Sequence, residues 1–188
     1  MNTIVKALFL FSILVICSCN NNKEKVKEIK SYTMEVEKLR NENILQIEFP
    51  KIISNMDQSD LKNKIENVVS KIDKSLPDLE KKSKLVTLNK IQNTPVTIWY
   101  SYNKPIKIEH GVTDDAGKFT GVFTYYLNQE KVWFSNQIFA KYLFQDDKLK
   151  YWMNEEWSIN DIPANDFKDQ EKRITGIVNY LISELKMK

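Results

Sequence analysis

The side chains most suited to catalysis in this 188-residue chain are one histidine and three pairs of adjacent acidic residues. His110 falls on the apolar side of a predicted strand, where a structural histidine is expected rather than a general base. Its neighbour Glu109 points to the opposite face of that strand, which argues against a direct histidine–carboxylate pair. A serine, histidine and aspartate triad could be assembled only by free choice among many serines, and no nucleophile-elbow motif is present.

The acidic pairs lie in segments with turn composition: Asp114-Asp115, Asp146-Asp147 and Glu155-Glu156. Two carboxylates held about 5–10 Å apart serve glycoside hydrolysis. Asp114 and Asp115 with a carbonyl oxygen also resemble a calcium site, but they lack the spacing of a known calcium loop. The sequence has no glycine-rich phosphate loop. We expect turn and solubility roles for these acids, and the sequence predicts no catalytic residue, no metal and no cofactor.

Three tryptophans are the best candidates for a binding face. Trp99, Trp133 and Trp152 are each predicted on a strand. If they share the wet face of a sheet, they form a platform for a sugar or a partner protein. The alternative is that a helix covers this face and makes the tryptophans part of the core.

The stretch Phe119–Met153 organises the fold. Its apolar and aromatic residues recur every second position, which is the period of a strand. Two polar tetrapeptides, Asn128–Lys131 and Gln145–Lys148, interrupt it and suit four-residue hairpin loops. Strands Val96–Tyr102 and Ile106–Val112 precede it. Together these segments predict an antiparallel meander.

Apolar residues at helical spacing predict two helices that pack on this sheet. The first is Ser59–Leu76, capped by Ser59 and ended by Pro77, with a short helical turn following through Lys84. The second follows the loop Asn154–Asn165, is capped by Asp166 or Asp169, and buries a stripe of five residues: Ile174, Ile177, Val178, Leu181 and Leu185. A further hairpin is predicted at Tyr32–Leu39 and Ile44–Phe49. The expected fold class is α+β, with six to eight antiparallel strands and two amphipathic helices.

The N-terminus has the pattern of an export signal. Ala7–Cys17 is apolar over a length that suits a secretory signal and is short for a membrane span. The sequence Ile16-Cys17-Ser18-Cys19 resembles a bacterial lipobox, which implies cleavage before Cys19 and lipid attachment to its sulfur. The expected organisation is a signal peptide at 1–18, a lipidated cysteine and flexible tether at 19–31, and one α+β domain at 32–188. No other cysteine exists for a disulfide framework or a cysteine-based zinc site.

The amino-acid composition limits the classes of partner that this protein is expected to bind. The 28 basic and 25 acidic residues nearly balance, giving a net charge of +3, and no basic stripe indicates nucleic-acid binding. The segments TYYLNQEKVWF and KYLFQDDKLKYW, within Asp115–Trp152, resemble small Bacteroidetes-type lipoproteins of unknown function, in which aromatic strands alternate with short polar turns. In that group the turns usually carry a glycine, and here Gln129-Glu130 and Asp146-Asp147 stand instead. This resemblance implies no activity.

The leading hypothesis is a non-catalytic lipoprotein of the bacterial outer membrane, facing the periplasm or the cell surface, that binds an envelope protein or a glycan. Two alternatives remain open. One is an envelope hydrolase that uses carboxylates or His110, and the other is an immunity or inhibitor lipoprotein.

Overall fold

A seven-stranded antiparallel sheet forms the centre of the fold, and its strands are neighbours in chain order. The computed structural model describes residues 47–53 and 56–186. The strands are β1 Glu80–Leu88, β2 Ile91–Ser101, β3 Lys104–Thr113, β4 Phe119–Asn128, β5 Lys131–Gln137, β6 Ala140–Gln145 and β7 Lys148–Met153. The predicted meander and the two predicted hairpins within Phe119–Met153 are thus confirmed.

Each face of this sheet is covered by one helix. Helix α1, Gln58–Ser75, packs on strands β3 to β7 through Leu61, Ile65, Val68 and Ile72. Helix α2, Ala164–Leu185, packs on the other face through the whole predicted stripe of isoleucine, valine and leucine residues. The α+β fold with two amphipathic helices is therefore as the sequence predicted, and of the two alternatives for the tryptophans, packing under a helix holds for Trp133 and Trp152.

Helix α1 covers only part of its face. Its buried residues run from Leu61 to Ile72, which is about 17 Å at 1.5 Å per residue. Seven strands at a spacing of about 4.8 Å are about 29 Å wide. In the described residues β1 and β2 contribute nothing to the α1 cluster, so this end of the face stays uncovered.

Both helices begin earlier than predicted. Asp57 rather than Ser59 caps α1, because its carboxylate accepts hydrogen bonds from the Ser59 backbone and hydroxyl, at 3.0 and 2.6 Å. Those bonds also lower the pKa of the Asp57 carboxyl. Pro163, rather than either aspartate, precedes α2, and its carbonyl accepts from Phe167 N at 3.1 Å.

The segment after Pro77 was predicted wrongly. A 3₁₀ turn at Leu76–Asp78 is followed by strand β1, where a helical turn was expected up to Lys84. β1 is an edge strand, so its first five residues remain largely exposed and carry no clear two-residue apolar period. Pairing with β2, rather than the local pattern, makes this segment a strand.

The start of the described chain also departs from the prediction. Ile47–Phe49, the end of the predicted strand Ile44–Phe49, are not a strand. Phe49 instead packs on Trp133 at 5.1 Å, and Ile52 N donates to the Gln145 side chain at 3.0 Å. Residues 1–46, which include Tyr32–Leu39, the export signal, Cys19 and the tether, lie outside the described residues, so those expectations remain predictions.

The hairpin loops have two residues, not four. Gln129-Glu130 and Asp146-Asp147 both have positive φ at each residue, as do Asn89-Lys90 and Tyr102-Asn103. Paired positive φ values define the type I′ turn, whose twist matches that of the strands and which favours Asn-Gly. Here the pair is formed without glycine, so each such turn retains backbone strain.

Relieving that strain should stabilise the protein. We expect Gln129→Asn combined with Glu130→Gly to raise the free energy of unfolding by about 1 kcal/mol, because Glu130 has φ 68°. Urea unfolding measures the change. Phe139→Gly is the matched control, since Phe139 is 77% exposed and its turn has no positive φ. An equal gain in the control would contradict the explanation by strain.

Candidate binding surface

The three tryptophans do not form a shared platform. Trp133 is 6% exposed and belongs to the α1 cluster, where Phe49 meets its ring. Trp152 lies on the opposite face under α2, with its ring centre 5.2 Å from that of Tyr142. Trp99 is half-buried on the α1 face, next to Lys107. Because a helix packs on each face, large aromatic residues on either side are drawn into a core, and the platform predicted from the sequence is absent.

Lys107 is the strongest electrostatic feature of the α1 face. Its Nζ lies 2.9 Å from an Asp73 oxygen of α1 and 2.8 Å from Glu109. The same ammonium sits between two rings, at 5.3 Å from the centres of Trp99 and Tyr126. The Tyr126 hydroxyl donates to Asp73, and burial together with that carboxylate raises the pKa of Tyr126. The side chain of Lys107 is 8% exposed, so this cluster binds the end of α1 to β3 and β4.

Beyond Lys107 the same face carries an exposed apolar row. Leu85 of β1 pairs with Pro95 of β2, and Gly111 of β3 pairs with Val122 of β4. Pro95 adjoins Gly111, because a Cβ atom on Gly111 would lie 2.8 Å from Pro95 Cγ. Leu85 and Val122 are 60% and 42% exposed. We call these four residues the apolar row; its middle is flat, because Gly111 has no side chain.

One aromatic residue borders the apolar row. Phe119 is 59% exposed, and its Cε2 lies 3.5 Å from the Cβ position of Gly111. Glu109 lies on the same face two residues before Gly111, and Lys81 lies on it four residues before Leu85, with Ser83 between them. The row is thus an apolar surface, with charges of both signs further along its strands.

His110 is a core residue with both ring nitrogens bonded. Nδ1 lies 2.9 Å from the carbonyl oxygen of Gly111, which can only accept, so Nδ1 carries the proton. Nε2 is then the acceptor for the Tyr125 hydroxyl at 3.0 Å. Burial lowers the pKa of His110, and the charge of Arg173 acts in the same direction. The predicted structural histidine is confirmed, because the ring has no free nitrogen for a substrate.

The acidic pairs have the turn roles that the sequence predicted. Asp114 Oδ1 accepts from the backbone of Ala116 and Lys118, at 3.0 and 2.8 Å. Asp147 pairs with Lys131. Glu155 and Glu156 are exposed. Within the described ranges, no group of three or more histidine, cysteine or acidic residues is placed to hold a metal ion.

Two parts of this surface escaped the sequence analysis. The apolar row combines single residues from four strands, and only the register shows that they adjoin. No role for Lys107 follows from the sequence, because nothing in it pairs this residue with Asp73, 34 residues earlier. The alternation that places Lys107, Glu109 and Gly111 on one face was the available signal.

Comparison with known proteins does not assign this chain to a family. No protein-family model, no curated protein and no solved structure matches the chain. Over residues 47–53 and 56–186, no helix has the length and apolar character needed to cross a membrane. The fold and surface therefore stand on the geometry alone: an antiparallel meander with one helix on each face and an uncovered apolar row.

Removing the Lys107 ammonium should loosen α1. We expect Lys107→Met to lower the free energy of unfolding by about 2 kcal/mol in urea titrations. Breaking a buried ion pair costs about 3–5 kcal/mol, and the partial exposure of Asp73 and Glu109 reduces that loss. The control is Lys62→Met, which removes an exposed pair with Glu66 at 3.9 Å and should change stability by less than about 0.5 kcal/mol. Equal losses in the two variants would refute the role assigned to Lys107.

Burial of neutral His110 should make stability depend on pH. The folded pKa lies below the ordinary value of 6.5, so the unfolded chain takes up the proton first as the pH falls. The stabilisation is complete above about pH 6.5 and is lost below it, by at most about 1.4 kcal/mol per pH unit until the folded pKa is reached.

His110→Gln removes this titration and keeps an acceptor for Tyr125. Unfolding free energies of the protein and this variant are measured from pH 8 to pH 5.5. Subtracting one curve from the other cancels most of the contribution of the carboxylates, which both proteins share. As the pH falls, the unchanged protein should lose more stability than the variant. Parallel curves would show that the ring does not titrate differently on unfolding.

Proposed function

We propose that this protein is a lipid-anchored lipoprotein of the bacterial outer membrane that binds a partner protein through the apolar row. The anchor is supported by the sequence, where an apolar signal meets the lipobox-like Ile16-Cys17-Ser18-Cys19. The binding role is supported by the exposed row on the uncovered end of the sheet. This row is the one observation that carries the proposal, since contiguous exposed apolar surface marks interaction sites.

A protein partner suits this surface better than a glycan. Sugars present many hydroxyl groups, which need polar partners when they lose water. The row offers instead two aliphatic side chains, a proline ring and a flat glycine.

A binding role also agrees with the hydrogen bonds of the side chains that could act in catalysis. His110 is bonded at both nitrogens, and Asp114 is occupied by its own turn. The hydrolase alternative needs a base or nucleophile with access to substrate, and these groups offer none. An immunity or inhibitor lipoprotein would belong to the same class as the proposal, because such proteins act by binding another protein.

The anchor is tested by mass spectrometry of the mature N-terminus. We expect the chain to begin at Cys19 with a diacylglyceryl group on the sulfur, and Cys19→Ser should release the protein from the membrane fraction. An unmodified Cys19 in the mature chain would exclude the anchor without bearing on the apolar row.

The apolar row is tested by crosslinking in cells with the full, lipidated chain. A photoreactive amino acid at Leu85 or Val122 should give a discrete adduct of higher mass. The same group at Asn179, which is exposed on α2, should give none. Val122→Glu, in a chain with the crosslinker at Leu85, should abolish the adduct. Adducts of equal yield from Asn179, or adducts that survive Val122→Glu, would refute binding through the row.

A further inference from the structure

A second feature lies at the same end of the sheet, largely on the side that α2 covers. A cavity of about 270 Å³ opens between α2, the tip of the β1–β2 hairpin and the ends of β3 and β4. Its walls are mainly apolar, with Ile91, Phe119, Phe123 and Ile177 among them. The hairpin tip is irregular here: Asn93 has φ 57°, and the Thr94 hydroxyl donates to the Ile91 carbonyl at 3.3 Å. The pairing of β1 with β2 also shifts register here, between Val86 and Leu88.

Arg173 of α2 is the one formal charge in the lining of this cavity, which contains no acidic residue. His110 also lines it, and burial keeps this ring neutral at pH 7. Arg173 Nε donates to Gln170 Oε1 at 2.8 Å, and Nη2 donates to Gln137 Oε1 at 3.3 Å. Both partners are neutral, and among the described residues no carboxylate forms a salt bridge with Arg173.

The guanidinium is therefore held in place but not neutralised. It has five N–H donors, more than its two glutamine acceptors and the neighbouring Tyr142 hydroxyl use. Arg173 is exposed, so a ligand can reach it from solvent. A fixed guanidinium with free donors matches the planar, two-oxygen geometry of a carboxylate.

We propose that this cavity binds a small organic carboxylate with an apolar chain or ring. The carboxylate pairs with Arg173, and the apolar part lies against Phe119, Phe123 and Ile177. The cavity has the liquid volume of about nine water molecules, which suits a ligand of about ten non-hydrogen atoms. An apolar pocket with a few converging polar groups is the usual form of a small-ligand site. This site shares Pro95, Gly111 and Phe119 with the apolar row and its border, and it does not depend on the lipid anchor.

Phenylacetate is a suitable probe, because it has ten non-hydrogen atoms and a carboxylate on an apolar ring. Phenylacetamide has the same shape without the charge. Ligand-observed NMR titrations with the full chain in lipid nanodiscs give the two dissociation constants. For phenylacetate we expect a Kd of about 5 mM or tighter, an affinity that stays within the per-atom ceiling for a ligand of this size. For the amide we expect binding at least tenfold weaker.

Three variants locate the charge effect. Arg173→Gln should weaken phenylacetate binding at least tenfold, and Arg173→Lys should fall between it and the unchanged protein. Lys168→Gln makes the same charge change on an exposed part of α2 outside the cavity and should have no effect. Hydrogen exchange of the unchanged protein provides a readout that does not depend on any variant folding. Phenylacetate should protect residues 88–95 and 110–123, and it should not protect the turns at the other end of the sheet.

The proposal is overturned by any of three results. These are no saturation by phenylacetate up to 20 mM, equal affinity for acid and amide, and protection confined to other parts of the chain. Unchanged affinity in a folded Arg173→Gln protein would likewise remove Arg173 from the site.

Discussion

A mismatch in length between a helix and a sheet determines where this protein has free surface. Helix α1 buries about 17 Å of its length against a sheet that is about 29 Å wide. Helix α2 buries residues from Gln170 to Leu185, which is about 23 Å on the same measure, and its side-chain contacts reach from Trp152 on β7 to β1, where Lys84 pairs with Glu184. One face is thus covered across its whole width, and the other is covered on one side only. The apolar row lies on the two strands that α1 leaves uncovered, β1 and β2, and on the adjoining ends of β3 and β4 beyond Lys107.

The Lys107 cluster fixes the border of that free surface. An ammonium buried between two aromatic rings would be unfavourable without counter-charges, and Asp73 of α1 supplies one of the two. The pairing therefore ties the last turn of α1 to β3 and holds it short of β1. Polar residues follow on the side of the row, where the Ser83 and Thr97 hydroxyls bond at 2.9 Å. Successive residues on this face are two positions apart along each strand. From the ion pair, the first such step reaches the hydroxyls and the second reaches the exposed apolar side chains.

The sequence predicted what depends on local period and missed what depends on register. Phe119–Met153 alternates every second residue, so its hairpins were predictable. β1 was not predictable, because an exposed edge strand carries charged side chains that face solvent and lacks the apolar alternation of a strand packed on a core. The face of each tryptophan was also beyond the sequence, since three consecutive residues of β5, Val132 to Phe134, are buried on a sheet packed on both sides. The apolar row and the Arg173 cavity both join residues from distant segments, and the sequence shows no periodic signal for either.

The two proposed sites share part of their walls. Pro95, Gly111 and Phe119 line or border the cavity and also belong to, or adjoin, the apolar row. A sheet is one residue thick, so atoms at its end contact both sides. Phe119 is 59% exposed and gains burial from an occupant on either side. If both proposals hold, a carboxylate in the cavity and a protein on the row compete for or cooperate through this ring. Any such coupling must be equal in both directions, because linkage between two binding equilibria is reciprocal.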